Sequence, residues 1–285
     1  MPMIGLGTWL IPNDDAERVC TDALNLGYRH IDTAQIYQNE EGVGNAIVSS
    51  SIDREDIFIT TKMWPGMYGD DTFQTFSGAL EACEQSLKLL QLNEIDLYLI
   101  HNPFATNSRV ELWEAMIELK KQGKVKNIGV SNYNVKHIKE IEDTQLEMPV
   151  ANQIEIHPYH MVPDGLEAYM NNHNILPIAY STLAPLPNWR EGSRWNSKPE
   201  AMKNDPSIPF LEVAKKYNVT VAQLLLKWSI QLGYPVLPKS VNYERLKENL
   251  DLNFTITGED MSHLSVSNKA QSLAWQEKFD PLDVD

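Results

Sequence analysis

Strand-like and helical runs alternate along nearly the whole of this chain, and few folds accept that pattern. Residues 4–9 read as a first strand and 14–26 as a helix with Gly27 as its stop. Residues 28–34 lead into a helix near 41–50, and 56–62 lead through the turn-rich WPGMYGDD into 72–90. Residues 95–101 lead into 109–121, closed by Gly123, 125–132 into 135–142, and 150–157 into 165–172. Strand 176–181 follows, and 235–240 comes last with a helix over 243–250. Such alternation predicts a parallel sheet with right-handed crossovers, and eight strand–helix units close a (β/α)8 TIM barrel. A doubly wound open sheet is the structural rival, but it uses fewer strands and a reversal point. The 285 residues suit one barrel, so 1–285 reads as a single domain with one long connection at about 182–207. That connection holds Pro185, Pro187, Trp189, Trp195 and Pro199, and its tryptophans favour a lid over a tether.

Charge narrows the partners. With 24 basic and 39 acidic residues, the chain carries −15, which repels phosphate backbones and anionic membranes, so neither nucleic acid nor membrane is expected. The apolar stretch 219–232 is too short to span a bilayer and carries Lys227, so it reads as an amphipathic core helix. Cys20 and Cys83 fall in amphipathic helical stretches and read as buried free thiols in a reducing compartment. A cytoplasmic monomer is expected. Gly5 and Gly7, like Gly42 and Gly44, lack the third glycine of a dinucleotide fingerprint. No Cys/His spacing reads as a metal site, and His157 and His160 bracket a proline turn in a structural role.

In a barrel of this kind functional groups gather at the C-terminal ends of the strands. Those ends carry Thr8, Trp9, Asp32, Lys62, His101, Ser131, Asn132, Gln153, Tyr180, Ser181, Lys239 and Ser240, with Tyr37 on the loop after Asp32. In the fourth strand Ile95, Leu97 and Leu99 alternate inward, and His101 continues that face at the rim. Any one of these polar residues alone reads as a satisfied core group. An aspartate, a lysine and a histidine at successive strand ends, beside a tyrosine, point instead to proton transfer onto a carbonyl oxygen. Tyr37 would be the acid, Lys62 would lower its pKa toward the working range, Asp32 would fix Lys62, and His101 would orient the carbonyl. An acid without a nucleophile needs its second reactant from elsewhere, and a hydride from a nicotinamide fits.

The stretches GYRHIDTAQIYQNE, TKMW, DLYLIH, IGVSNY, NQIEIHP and LPKS, in that order, resemble the aldo-keto reductase superfamily from Gly5 to about Asn249. The resemblance implies an NADPH-dependent reductase of aldehydes or ketones on a barrel, with Tyr37 as proton donor, Lys62 and Asp32 as its tuning pair and His101 orienting the carbonyl. It places Ser131, Asn132 and Gln153 on the cofactor carboxamide and Tyr180 beneath the nicotinamide. Thr8, Trp9, Ser181, Leu183 and Val241 join the cofactor site, and Lys239, Ser240, Arg245, Glu248 and Asn249 the clamp on the 2′-phosphate. Two cations in so acidic a chain favour NADPH over NADH; the alternative for Arg245 and Glu248 is an exposed helix pair.

Three departures stand out. The chain begins at MPMIGLGTW, where relatives carry an earlier hairpin under the barrel. His101 is followed by Asn102, where many relatives have tryptophan, which predicts a more polar pocket wall. The segment from Pro103 to the helix at Arg109 is short, as in microbial members. Trp9, Trp64, Asn102, Phe104 and Trp195 are the substrate-pocket candidates. Two other functions compete: a lyase forming a Schiff base on Lys62, and a catalytically silent NADPH-binding partner subunit.

Overall fold

Among the described residues seven strands pair side by side and parallel, each with its sequence neighbour: β1 (Leu6–Gly7), β2 (His30–Asp32), β3 (Phe58–Met63), β4 (Ile95–Ile100), β5 (Val125–Ser131), β6 (Ala151–Glu155) and β7 (Leu176–Tyr180). The computed structural model describes residues 1–66, 73–186, 188–190, 210–265, 272–275 and 280–284. The expectation of an eighth strand over 235–240 is corrected: there Val236 forms single parallel bridges to Ile4 and to Ala179. Pro235 and Pro238 have no N–H to give a ladder, yet their carbonyls still accept. Ala179 N donates to Pro235 O at 2.8 Å, Gly5 N to Val236 O at 2.9 Å and Gly7 N to Pro238 O at 3.1 Å. The stretch therefore joins β7 to β1 and completes the ring.

Helices follow the strands: α1 (Asn13–Leu26), α2 (Glu40–Ser49), α3 (Phe76–Leu90), α4 (Arg109–Lys121), α5 (Val135–Asp143), α6 (Asp164–Asn172), α7 (Phe210–Lys216), α8 (Val221–Gln231), α9 (Tyr243–Leu250) and α10 (Gly258–Leu264). Gly27 ends α1 at φ 110°, a left-handed conformation that suits glycine. The start expected for α3, Thr72, lies outside the described residues; the helix begins at Phe76, capped by Thr75 Oγ1 accepting from Gly78 N at 3.1 Å. Among the described residues no helix is long and apolar enough to cross a membrane.

Alternation along the strands divides the core into two layers. Leu97, Leu99, Ala151, Ile178 and Leu237 meet inside the ring. Tyr98, Ile100, Ile128, Val130 and Ile154 face outward into a larger layer shared with helix residues such as Trp113, Leu225 and Trp228. Ile95, on the same strand face as Leu97 and Leu99, packs with the larger cluster. Cys20 and Cys83 are buried there as free thiols. Burial pushes both up to about 12.

Gly42 and Gly44 have a packing role rather than a phosphate-binding one. A Cβ on Gly42 would meet Asn13 O at 2.6 Å, and one on Gly44 would meet Leu89 O at 2.6 Å and Leu90 C at 2.7 Å. Backbone approaches this close let α2 wedge between α1 and α3. Gly44→Ala is therefore expected to destabilise the fold by about 1–3 kcal/mol. Gly258→Ala, where nothing lies within 4 Å, should not, and urea denaturation of the two variants checks the contrast.

Candidate active site

The last ladder bonds bring the strand ends to one rim. Thr8 N donates to Asp32 O at 3.0 Å, Thr33 N to Thr60 O at 2.9 Å, His101 N to Met63 O at 3.1 Å and Asn132 N to Gln153 O at 3.0 Å. At that rim Lys62 is wholly buried, and its Nζ donates to Asp32 Oδ1 at 2.6 Å and to Thr33 O at 2.7 Å. Gln153 Nε2 donates to the other Asp32 oxygen at 2.7 Å. Burial pushes the Asp32 carboxyl up and the Lys62 ammonium down; the charge and hydrogen bonds each supplies to the other oppose both shifts.

Tyr37 ends a single 3₁₀ turn (Gln35–Tyr37) entered from Ala34. Its ring centroid lies 5.2 Å from Lys62 Nζ and 5.6 Å from the centre of the His101 ring, edge to face at 82°. Trp64 packs edge-on against His101 at 5.1 Å, and Trp9 lies 6.5 Å from Tyr37. The four residues expected to carry the chemistry thus stand together. The expected direction of the Tyr37 shift is corrected: burial, and next the Asp32 carboxylate, push the phenol well above its ordinary value, with Arg190 opposing. His101 moves the other way, held well below its ordinary value by burial and by the Lys62 charge, and its Nδ1 is buried without a hydrogen-bond partner among the described residues.

A second cluster spans β5 to β7. Ser131 Oγ donates to Gln153 O at 2.7 Å, while Asn132 Nδ2 donates to His101 O and to Ser131 Oγ, both at 3.0 Å. Tyr180 donates its phenol proton to Asn132 Oδ1 at 2.7 Å. Ser181 and Leu183 follow, half-buried, with Ser181 at φ 52°. Lys239, Val241 and Arg245 are exposed, and Ser240 is buried with its Oγ accepting from Asn242 N at 3.1 Å. Arg245 stands in the first turn of α9, where its N–H caps onto Asn242 Oδ1 at 3.1 Å. Glu248 turns away to accept from Thr220 Oγ1 at 2.8 Å, and Asn249 is buried beside the Tyr28 phenol.

Of the pocket candidates, Trp9 and Trp64 are half-buried at the rim. Asn102 is fully buried and spends its amide on loop backbone, taking Phe104 N at 2.9 Å and giving to Gly66 O at 3.4 Å. Phe104 packs edge-on against Trp275 at 5.9 Å. Trp195, with most of the 182–207 connection, lies outside the described residues.

Several site residues went unread in the sequence. Asn39 is buried beneath the rim, where its Nδ2 gives to Thr8 O and Ile11 O, both at 2.9 Å, and its Oδ1 takes Thr33 Oγ1 at 2.7 Å. Glu40 takes Thr61 Oγ1 at 2.6 Å and Ser86 Oγ at 3.2 Å. Arg190 lies over Trp9 and Trp189, its Cζ 4.0 and 3.9 Å from their ring centroids, and donates to Ser181 Oγ at 3.3 Å. Glu155 takes His157 Nε2 at 2.7 Å and Ser272 Oγ at 2.6 Å, and Trp275 Nε1 donates to the Tyr180 oxygen at 2.7 Å. Gln153, Glu155 and His157 alternate in NQIEIHP, so strand periodicity alone put Glu155 on the face already assigned to Gln153.

A family model described as the Aldo/keto reductase family matches residues 3–269. The chain is 38% identical over 275 residues to a methylglyoxal reductase of Escherichia coli, covering 96% of this chain and 92% of that one. It is 37% identical to a glycerol 2-dehydrogenase (NADP(+)) of Saccharomyces cerevisiae, covering 94% and 88%. The crystal structure of a Bombyx mori aldo-keto reductase in complex with NADP superposes with a TM-score of 0.84 at 31% identity, covering 99% and 95%.

Burial pushes the Glu155 carboxyl up, but His157, His160 and the Ser272 hydroxyl outweigh it and bring it down to about 2. Its folded value thus lies below its unfolded one, so its contribution to stability is full above about pH 4.5 and fades as pH falls toward about 2. The unfolding free-energy gap between the native chain and Glu155→Gln should stay level from about pH 7 to about 5 and shrink below that. A gap that ignores pH, followed by urea denaturation, would contradict this.

Proposed function

Since the chain belongs to the aldo/keto reductase family, we propose that it is an NADPH-dependent oxidoreductase that reduces aldehyde or ketone carbonyls to alcohols, with Tyr37 as general acid. The observation that carries this reading is the grouping of Tyr37, His101 and the buried Lys62–Asp32 pair at one rim.

The residues present suit the cofactor. Lys239 and Arg245 stand exposed on either side of the α9 N-terminus, where backbone N–H groups and two cations suit the 2′-phosphate. Ser131, Asn132 and Gln153 are amide and hydroxyl groups suited to a carboxamide, and Tyr180 offers its ring beside them. Thr8, Trp9, Ser181, Leu183, Ser240, Val241, Glu248 and Asn249 complete the proposed contact set. When bound, NADPH supplies a hydride to the carbonyl carbon.

The chain's own residues do the rest. Tyr37 keeps its proton at neutral pH, because burial and the Asp32 charge disfavour phenolate. It is thus a loaded donor, and it gives the proton only as negative charge develops on the carbonyl oxygen. Lys62, 5.2 Å from the ring centroid, then offsets the charge left on Tyr37. His101, neutral through burial, aligns the carbonyl by hydrogen bonding rather than by charge. Trp9, Trp64 and Phe104 supply apolar walls, with Asn102 holding the loop behind them and Trp195 a further candidate. Small aldehydes and ketones, methylglyoxal among them, are the first substrates to try.

Lys62 is a poor Schiff-base nucleophile here, because its nitrogen is committed to Asp32 and Thr33. A binding-only partner would have no use for Tyr37 and His101. We take the enzyme to act as a single-domain monomer in the cytoplasm, where Cys20 and Cys83 stay reduced; a light-scattering mass of more than one chain would refute the monomer.

Tyr37→Phe is expected to leave NADPH binding nearly intact while carbonyl reduction falls by ~100-fold or more. Absorbance of NADPH over an aldehyde and ketone panel measures it; turnover undiminished in that variant would remove the proposed acid. Lys239→Ala should weaken NADPH by roughly 10-fold and NADH far less, since only NADPH carries the extra phosphate. Equal loss for both would take Lys239 out of the clamp.

A further inference from the structure

We propose that Glu155 and Trp275 are positioning residues that fix the Tyr180 phenol and the Asn132 amide, and through them the pyridine end of the cofactor, an inference that rests on the NADPH-dependent reading above.

Glu155 closes β6 in register with Tyr180, the last residue of β7. It is 3% exposed, and a buried carboxylate needs donors on both oxygens. Besides His157 it finds them in one short segment far along the chain: Ser272 Oγ at 2.6 Å, Leu273 N at 2.8 Å and Ala274 N at 3.2 Å. Trp275 N closes that segment by donating to Ser272 Oγ at 3.0 Å. The carboxylate is therefore a mount for residues 272–275, and the indole it carries is braced from the other side by Phe104.

What the indole does follows from its chemistry. Tryptophan can only donate, so its bond to the Tyr180 oxygen at 2.7 Å obliges that oxygen to accept. The phenol proton is then left for Asn132 Oδ1 at 2.7 Å. With its oxygen taken, the Asn132 amide must present its NH2 to His101 O and Ser131 Oγ, at 3.0 Å each. The His101 carbonyl, which can only accept, fixes the amide from the other end, so the indole N–H and that carbonyl together set the sense of the hydrogen bonds between Trp275 and the strand end that bears His101. The Tyr180 ring and the Asn132 amide are the groups proposed to meet the pyridine and its carboxamide. Neither Glu155 nor Trp275 needs to touch the cofactor to control where it lies.

Trp275→Phe keeps an aromatic ring against Phe104 and removes only the N–H. It is expected to weaken NADPH by about 5–10-fold, one lost hydrogen bond's worth. The dissociation constant of adenosine 2′,5′-bisphosphate, which has no pyridine ring, should stay unchanged. Glu155→Gln should give the same split where it folds, as circular dichroism reports. Tyr180→Phe removes the phenol through which Trp275 acts, so adding Trp275→Phe to it should have no further effect. Native NADPH affinity in Trp275→Phe, equal weakening of both ligands, or effects that multiply in the double variant would each overturn the proposal while leaving the reductase reading standing. Failure of the native chain to bind NADPH would instead remove that reading, and this proposal with it.

Discussion

The rim is arranged to keep two opposite charges out of water. Lys62 and Asp32 lie 2.6 Å apart, 0% and 5% exposed. Desolvation works against each of them, so the pair persists only because the surroundings supply the rest of its hydrogen bonds. Thr33 O takes a second ammonium proton, and Gln153 Nε2 covers the second carboxylate oxygen. Removing either partner would strand the other charge, a loss of about 3–5 kcal/mol in comparable buried pairs. Asn39 reinforces the same corner from below, binding the backbone at Thr8 and Ile11 and the hydroxyl of Thr33.

Beside this pair Tyr37 and His101 are both held toward their neutral forms, and that neutrality is useful. The field of Lys62, with burial, keeps His101 from protonating, while burial and the field of Asp32 keep Tyr37 from ionising. The sequence suggested an ammonium that sharpens Tyr37 toward phenolate. The structure shows a carboxylate whose effect on the phenol runs opposite. A tyrosine so placed is not half-ionised and waiting. It holds its proton, and the proposed chemistry releases it only against charge that appears on the substrate. In the proposed chemistry Lys62 is then a counter-charge for the product state of Tyr37 rather than a tuner of its resting state.

Much of this is legible in the sequence. Parallel strands in sequential order put their C-terminal ends at one rim, so Asp32, Lys62, His101, Ser131, Asn132, Gln153 and Tyr180 could be grouped by periodicity alone. Helix ends at Gly27 and Lys121 were legible because their signals are local. What was missed depends on contacts across long separations. Glu155 gains its meaning from residues 272–275, and Trp275 sits in a stretch with no periodic pattern. Arg190 lies in the proline-rich connection, where nothing local announces its place over Trp9. An eighth strand is overread at 235–240 because Val236 and Leu237 look strand-like, while Pro235 and Pro238 have no N–H to give and the ladder thins to single bridges at Val236. Arg245 and Glu248 were close enough for a helix pair, but Glu248 serves the Thr220 cap instead.

The two halves of the rim are also physically joined. From Lys62 the bonds run to Asp32, then to Gln153, whose backbone oxygen takes Ser131 Oγ, and on through Asn132 and Tyr180 to Trp275. At the first end the links involve full charges and are held by the cost of leaving a buried charge unpaired. At the other they are neutral, and their sense is fixed between an indole that can only donate and the His101 carbonyl that can only accept. A shift at β7 therefore reaches the ion pair only as a change of position, with no charge passed along. This division suits the proposed site, in which charges stay fixed while a cofactor binds and leaves beside Tyr180. Breaking a link in the charged half strands a buried charge, whereas breaking one in the neutral half costs a single hydrogen bond.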